Sequence, residues 1–344
     1  MFFDDIVGQK TPKRILTNAI LRDRIAPAYL FHGAFGVGKA KTAFSFARVL
    51  NCDTKNGCNV CPSCRKVNNF SYPDLKILFP VPSSVKPEEI ENLAIKNRDA
   101  YFKFYFDKKA SIPIDRVRSL RKEVMLKTYS GRKRVIIIIN CDRMTQEAAN
   151  AFLKTLEEPP QNTVIILTTT RLNYLFPTII SRCQPIRFKS LTMDEIMGVL
   201  KTRTDIDIEK MKIISLLCDG SIGVALNLCS VDYFEFRKKM IETFFLLSRS
   251  NIIETAAELV SLKGKKEDIV NILLSLYRDI LVIKEGREDL IKNIDFKEEL
   301  GKKASSVSEE EVGRSMNILK EFSFSFERSI NLKIAFPSVL ANLS

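Results

Sequence analysis

Two short stretches of this sequence carry residues whose types and spacing can do chemistry. Gly33-Ala34-Phe35-Gly36-Val37-Gly38-Lys39 has the spacing of a phosphate-binding loop. Its glycines let successive backbone N–H groups turn inward on an anion, and its lysine reaches the outer phosphate oxygens. The second stretch, Cys52, Cys58, Cys61 and Cys64, reads C-x5-C-x2-C-x2-C. Two x2 spacings let a tight turn present thiolates to one tetrahedral ion, for which zinc is the best fit. An iron–sulfur cluster and four free thiols are the alternatives. Four thiolates leave no open coordination position, so such an ion would be structural.

The phosphate loop lacks the residues that would let it turn ATP over. Ala40 stands where a Ser or Thr hydroxyl would ligate magnesium, and Thr42 is out of register. A second strand should supply acids for magnesium and water. Here Val135 to Ile139 runs into Asn140 and Cys141 before Asp142, and by register the acids fall on Ile139 and Asn140. No magnesium site and no intrinsic ATPase are expected. Binding of ATP or ADP through Gly33, Gly36, Gly38 and Lys39 stays open, beside the reading of the loop as an inherited turn. His32, the only histidine, closes the first strand as a structural residue, and no Ser-His-Asp set can be assembled. Cys141, Cys183, Cys218 and Cys229 are scattered and read as small buried residues.

The elements that would position these groups are legible in the apolar pattern. Five short runs read as strands: Tyr29 to Phe31, Leu75 to Phe79, Val135 to Ile139, Val164 to Leu167 and Ile186 to Phe188. Between the third and fourth, Ala148, Ala149, Phe152, Leu153 and Leu156 repeat at helical spacing until Pro159-Pro160. Alternating strands and helices predict an α/β fold with a parallel sheet. The stretch from 80 to 109, with its aromatic and basic run Tyr101 to Phe106, reads as an insertion. After Ser190 the patterns are helical, and neither an internal repeat nor a low-complexity tail is seen. Ile114, Val117, Leu120 and Val124 mark the buried side of a helix whose Arg116, Arg118, Arg121 and Lys122 are candidates for DNA phosphate contact, against the blander reading of a solvated face.

Length and composition bound the rest. The chain has 344 residues, 45% of them hydrophobic and 28% charged, which predicts a folded protein of two or three domains. The net charge of +13 points weakly to a polyanionic partner. No apolar run approaches the roughly 18 residues of a membrane span. The opening Met1-Phe2-Phe3-Asp4-Asp5 lacks a secretion signal, so a cytoplasmic location is expected, where disulfides are disfavoured.

Longer motifs add a resemblance. Phe3-Asp4-Asp5-Ile6-Val7-Gly8-Gln9 resembles the opening of AAA+ clamp-loader subunits of bacterial DNA polymerase III, and Ala28 to Gly33 resembles their first strand. Asp142-Arg143-Met144-Thr145, followed by Ala148 to Pro160, is similar to their central signature. Leu167-Thr168-Thr169-Thr170 continues the match, as does Ser181-Arg182-Cys183, which in this family supplies an arginine finger. The gamma or tau subunits of the family hydrolyse ATP, whereas the delta-prime kind commonly has an eroded site, so the resemblance implies the latter. In Gly220 to Ala225, similar to the second sensor region, the usual arginine falls on Gly223. Asn331 to Phe336 resembles the last helix of a collar domain. Zinc modules occur in this family at the place of the cysteine cluster, and helices in the region of Arg116 line a DNA-tracking chamber.

The resemblance is strong over residues 1 to 190 and thin beyond. It implies an AAA+ domain over 1–185 with a zinc module at 52–64, a helical lid over 186–233 and a helical collar over 234–344. Its implied partners are the gamma/tau and delta subunits, the sliding clamp (beta) through the complex, and primed-template DNA. Arg182 would act on ATP held by a neighbouring gamma/tau subunit while the clamp is loaded. Two other readings are an active ATPase of the gamma/tau type and a zinc-containing DNA-binding module outside any clamp loader.

Overall fold

The computed structural model describes residues 2–96, 110–129, 132–246, 254, 266–325 and 332–343. They form two compact units, Met1–Glu195 with Gly220–Gly223, and Ile196–Asp219 with Val224–Ser344.

The first unit runs α1 (Lys10–Leu21), β1 (Ala28–His32), α2 (Lys39–Asn51), α3 (Pro62–Asn68), β2 (Leu75–Leu78), β3 (Val81–Pro82), α4 (Ile90–Lys96), β4 (Ala110–Ser111), α5 (Ile114–Val124), β5 (Arg134–Ile138), α6 (Gln146–Glu157), β6 (Thr163–Thr169), α7 (Pro177–Ile180) and β7 (Gln184–Arg187). Five of the strands make one parallel sheet in the order β2-β5-β6-β1-β7. The centre of a parallel sheet is covered on both faces, which is why Val135 to Ile138 of β5 and the whole of β6 are unbroken β-branched and apolar runs. Tyr29, Phe31, Val135, Ile137, Val164 and Ile166 face one core with Phe46 and Ala47 of α2. Leu30, Ile136, Ile138, Ile165 and Leu167 face the other with Val117 and Leu120 of α5 and Phe152 of α6. The α/β class and the parallel sheet expected from sequence are borne out.

Local chemistry sets the ends of these elements. Thr145 caps α6, its Oγ1 accepting from the Ala148 amide at 3.2 Å, and Pro159-Pro160 bars further helix. β7 lies at the sheet edge, where Pro185 is tolerated because no ladder bond needs its missing N–H. It ends one residue before the expected Phe188, although the Phe188 amide still donates to His32 O at 2.8 Å.

The 80–109 stretch opens on β3, which pairs antiparallel with β4, and α4 lies between them. The aromatic run Tyr101 to Phe106 lies outside the described residues.

From Met193 on, the described elements are helical: α8 (Met193–Arg203), α9 (Ile208–Leu217), α10 (Ile222–Leu228), α11 (Val231–Phe245), α12 (Lys266–Lys284), α13 (Lys297–Ser306), α14 (Glu309–Ser325) and α15 (Leu332–Ala341). The second unit has its own core, in which Phe244 of α11, Leu276 and Ile280 of α12, Leu300 of α13, Leu319 of α14 and Leu340 of α15 meet. Among the described residues no helix is long and apolar enough to cross a membrane.

Candidate functional site

β1 delivers the phosphate loop to the carboxyl end of the sheet, and α2 begins at Lys39 with Gly38 as its N-cap. An anion there would face the N-terminus of a helix. Lys39 is buried, and its Nζ donates to Gly33 O at 2.8 Å and Ala34 O at 2.6 Å. Burial pushes this amine down to about 8, with the Asp142 carboxylate pulling weakly the other way. Thr42 Oγ1 donates to Gly38 O at 2.9 Å, so its hydroxyl serves the loop's own backbone.

The loop tip is capped by the chain itself. Gly36 has φ 70, and a side chain there would collide with Ser221 Oγ. The Gly223 amide donates to Gly36 O at 3.0 Å, and a Cβ on Gly223 would stand 2.8 Å from Gly36 Cα. The arginine usual at Gly223 therefore has no room in this arrangement.

The expected acidic positions carry no carboxylate. Ile139 is 3% exposed within the core, and Asn140 adopts φ 50 while its amide donates to Thr168 Oγ1 at 3.1 Å. Asp142 is occupied elsewhere, accepting from Thr169 Oγ1 at 2.7 Å and Arg171 Nε at 3.1 Å. Among the described residues, the cysteine cluster is the one group arranged to hold a metal ion.

Ser181 and Arg182 follow α7 directly. Arg182 Nη1 donates to Thr178 O at 2.9 Å, and Nη2 pairs with Glu157 Oε1 at 2.8 Å. None of these partners belongs to the phosphate loop of the same chain.

The thiolate candidates converge in the loop between α2 and α3. The four sulfur atoms of Cys52, Cys58, Cys61 and Cys64 all lie within 4.8 Å of one another, with Cys52 Sγ 3.7 Å from Cys58 Sγ and 4.0 Å from Cys61 Sγ. Bonds of about 2.3 Å to a tetrahedral ion separate sulfurs by about 3.8 Å, so the donor set fits one such ion. The amides of Cys58, Cys61 and Cys64 each donate at 3.4 Å to the preceding cysteine sulfur of the set, which suits thiolates. Burial would raise the Cys52 thiol, but hydrogen bonds from the Thr54 side chain and neighbouring amides outweigh it and bring it down to about 5. Arg132 ties the module to the sheet, its Nη1 donating to Asn51 O at 2.7 Å and Asp53 Oδ1 at 2.6 Å.

The basic helix α5 divides. Arg118 and Lys122, one turn apart, are exposed, whereas Arg116 and Arg121 are half-buried. Arg116 donates to Phe79 O at 2.6 Å and stacks over the Phe79 ring at 5.2 Å, and burial pushes its guanidinium down to about 10. Sequence reading missed this bond, the Glu157–Arg182 pair and the Gly36–Gly223 contact. Each joins residues distant along the chain, and no local pattern announces them.

The family described as DNA polymerase III, delta subunit, matches residues 8–192. Among curated relatives, DNA polymerase III subunit tau of Bacillus subtilis is 27% identical over 349 residues, covering 93% of this chain and 57% of that protein. DNA polymerase III subunit delta' of the same bacterium is 26% identical over 329 residues, covering 93% of this chain and 91% of that protein. A DNA polymerase III gamma subunit-related protein from Thermotoga maritima is similar at 18% identity and a TM-score of 0.44, over 98% of this chain and 99% of that one. The chain thus spans little more than half of the tau relative.

Proposed function

Since this chain belongs to the DNA polymerase III delta-subunit family, we propose that it is a clamp-loader subunit of the delta-prime kind, inactive as an ATPase itself and supplying Arg182 to a neighbour's ATP. The observation that carries this reading is the state of the three magnesium positions. Ala40 offers a methyl, Ile139 is buried in the core and Asn140 has no charge. Metal positioning supplies much of phosphoryl-transfer catalysis, so a site without those ligands does not turn over.

In the assembly, ATP bound by a gamma or tau subunit meets Arg182, whose planar fork engages two oxygens of the transferring phosphoryl group. Nucleotide state is thereby coupled to opening of the beta clamp and its release on primed-template DNA. Gly33, Gly36, Gly38 and Lys39 keep the form of the loop, with Ser221 and Gly223 packed against Gly36 at its tip. Cys52, Cys58, Cys61 and Cys64 hold zinc as a cross-link between α2 and α3. Arg118 and Lys122 track the DNA backbone, with Arg116 and Arg121 set deeper behind them. Residues 1–185 act as the AAA+ domain, 186–233 as the lid and 234–344 as the collar of a cytoplasmic complex.

The test is a loader reconstituted with gamma or tau, delta and this chain. Arg182→Ala should assemble yet slow clamp-stimulated ATP hydrolysis and loading by about tenfold or more, given that fingers contribute roughly 10³ to 10⁵ in other NTPases. Arg182→Lys should not restore it, because lysine lacks the fork. Wild-type rates from the fully assembled Arg182→Ala complex would refute the finger. ATP turnover by the purified chain alone would favour a motor of the gamma/tau type.

A further inference from the structure

The contact between Arg182 and Glu157 has a consequence that rests on the finger reading and goes beyond it. Glu157 is the last residue of α6, whose Phe152, Thr155 and Leu156 are buried, so its carboxylate stands on a fixed element. Arg182 lies two residues past the end of α7, and its Nη1 is tethered to Thr178 O at 2.9 Å, with Ser181 Oγ at 3.4 Å. Its Nη2 pairs with Glu157 Oε1 at 2.8 Å. A carboxylate oxygen and a phosphate oxygen ask the same of a guanidinium: an anionic acceptor in the plane of the fork. Glu157 therefore occupies one donor position on Arg182 that a polyphosphate oxygen could use.

Two observations argue against a purely structural pair. The side chains are 35% and 46% exposed, so the contact is solvated and weak, and a ligand from another molecule can reach it. In addition, a carboxylate at the C-terminal end of a helix opposes the helix dipole. Here Glu157 is followed by Glu158, and Lys154 is the basic residue of the last turn. Fold stability alone would favour a neutral or basic residue at this position.

We propose that Glu157 is a positioning residue that parks the Arg182 guanidinium along its own α6 until a polyphosphate on a neighbouring subunit takes over its donors. Such a switch requires only side-chain rotation. A triphosphate carries more charge than one carboxylate and offers several acceptors, so it wins when the neighbour is loaded. With no nucleotide there, the pair keeps the finger folded back, and the apparent affinity of the finger for its target falls by the parked fraction.

The experiment uses Glu157→Gln, which keeps size and hydrogen bonding but removes the charge. In the intact chain, phenylglyoxal modification of Arg182, followed by peptide mass spectrometry, should speed up by about two- to fivefold, the weight of an exposed ion pair. Thermal stability should hold or rise. In the reconstituted loader without DNA, ATP hydrolysis should rise by a similar factor, and Glu157→Gln with Arg182→Ala should match Arg182→Ala alone. Equal labelling rates in wild type and Glu157→Gln would overturn the parked contact. Faster labelling together with wild-type hydrolysis from Arg182→Ala would overturn the finger reading, and with it the switch. An equal effect of Glu157→Gln in the Arg182→Ala background would show that Glu157 acts elsewhere.

Discussion

Lys39 illustrates how a single side chain keeps its motif and changes its circumstances. Its ammonium is buried against two loop carbonyls, and burial lowers its pKa from 10.5 to about 8. Between those values the folded chain has released a proton that the unfolded chain still holds, so stability contributed by this residue rises with pH across that window. The slope approaches about 1.4 kcal/mol per pH unit. Urea denaturation of wild type and Lys39→Met at pH 8 and at pH 10 should show wild type gaining on the variant. A gap that stays constant would mean that Lys39 titrates normally. The absences at Ala40 and Asn140 are legible in sequence, because a motif fixes its residues at short spacing. The burial of Lys39 and the seating of Gly223 on Gly36 are not, since both depend on which distant segment closes over the loop.

Helix α5 shows what an element's pattern reveals and what it hides. The spacing of Val117, Leu120 and Val124 places its buried face correctly. The same pattern makes Arg116, Arg118, Arg121 and Lys122 look alike, yet Arg116 is committed to Phe79 by tertiary contact alone. Their substitutions should therefore separate. Arg118→Ala with Lys122→Ala should leave folding intact, weaken DNA binding by the assembled loader, and make its salt dependence shallower by about two counterions. Arg116→Ala should instead lower stability by about 1–3 kcal/mol through the lost bond to Phe79 O. Binding titrations at several salt concentrations, with denaturation of each variant, separate the two effects. The main strands were legible as apolar runs. The two-residue β3 and β4 were not, because so short a strand has no periodicity to read and Pro82 argues against one.

At the scale of the whole molecule, the two units have separate cores, and the cysteine cluster belongs to one of them. Phe3 to Phe188 supply the cores on the two faces of the sheet, whereas Phe236 to Leu343 supply the helical core. Chains with separate cores unfold in more than one cooperative step. A four-thiolate site couples metal binding to folding with an apparent free energy of about 10 kcal/mol or more in small modules. Here the ion would fasten the α2–α3 connection, which Arg132 also ties to the sheet, so its loss should weaken the first unit. The purified chain should contain one zinc by elemental analysis. Chelation under reducing conditions should lower the melting transition of the first unit by about 10 °C or more, while the second unit keeps its own. Hydrogen exchange read by peptide assigns each transition, with β1, β5 and β6 reporting on the first unit and α12 and α14 on the second. If chelation moves every peptide together, the units fold as one. If a metal-free preparation melts like the native one, the cysteines are ordinary thiols, and the fold stands on its apolar cores without a metal cross-link.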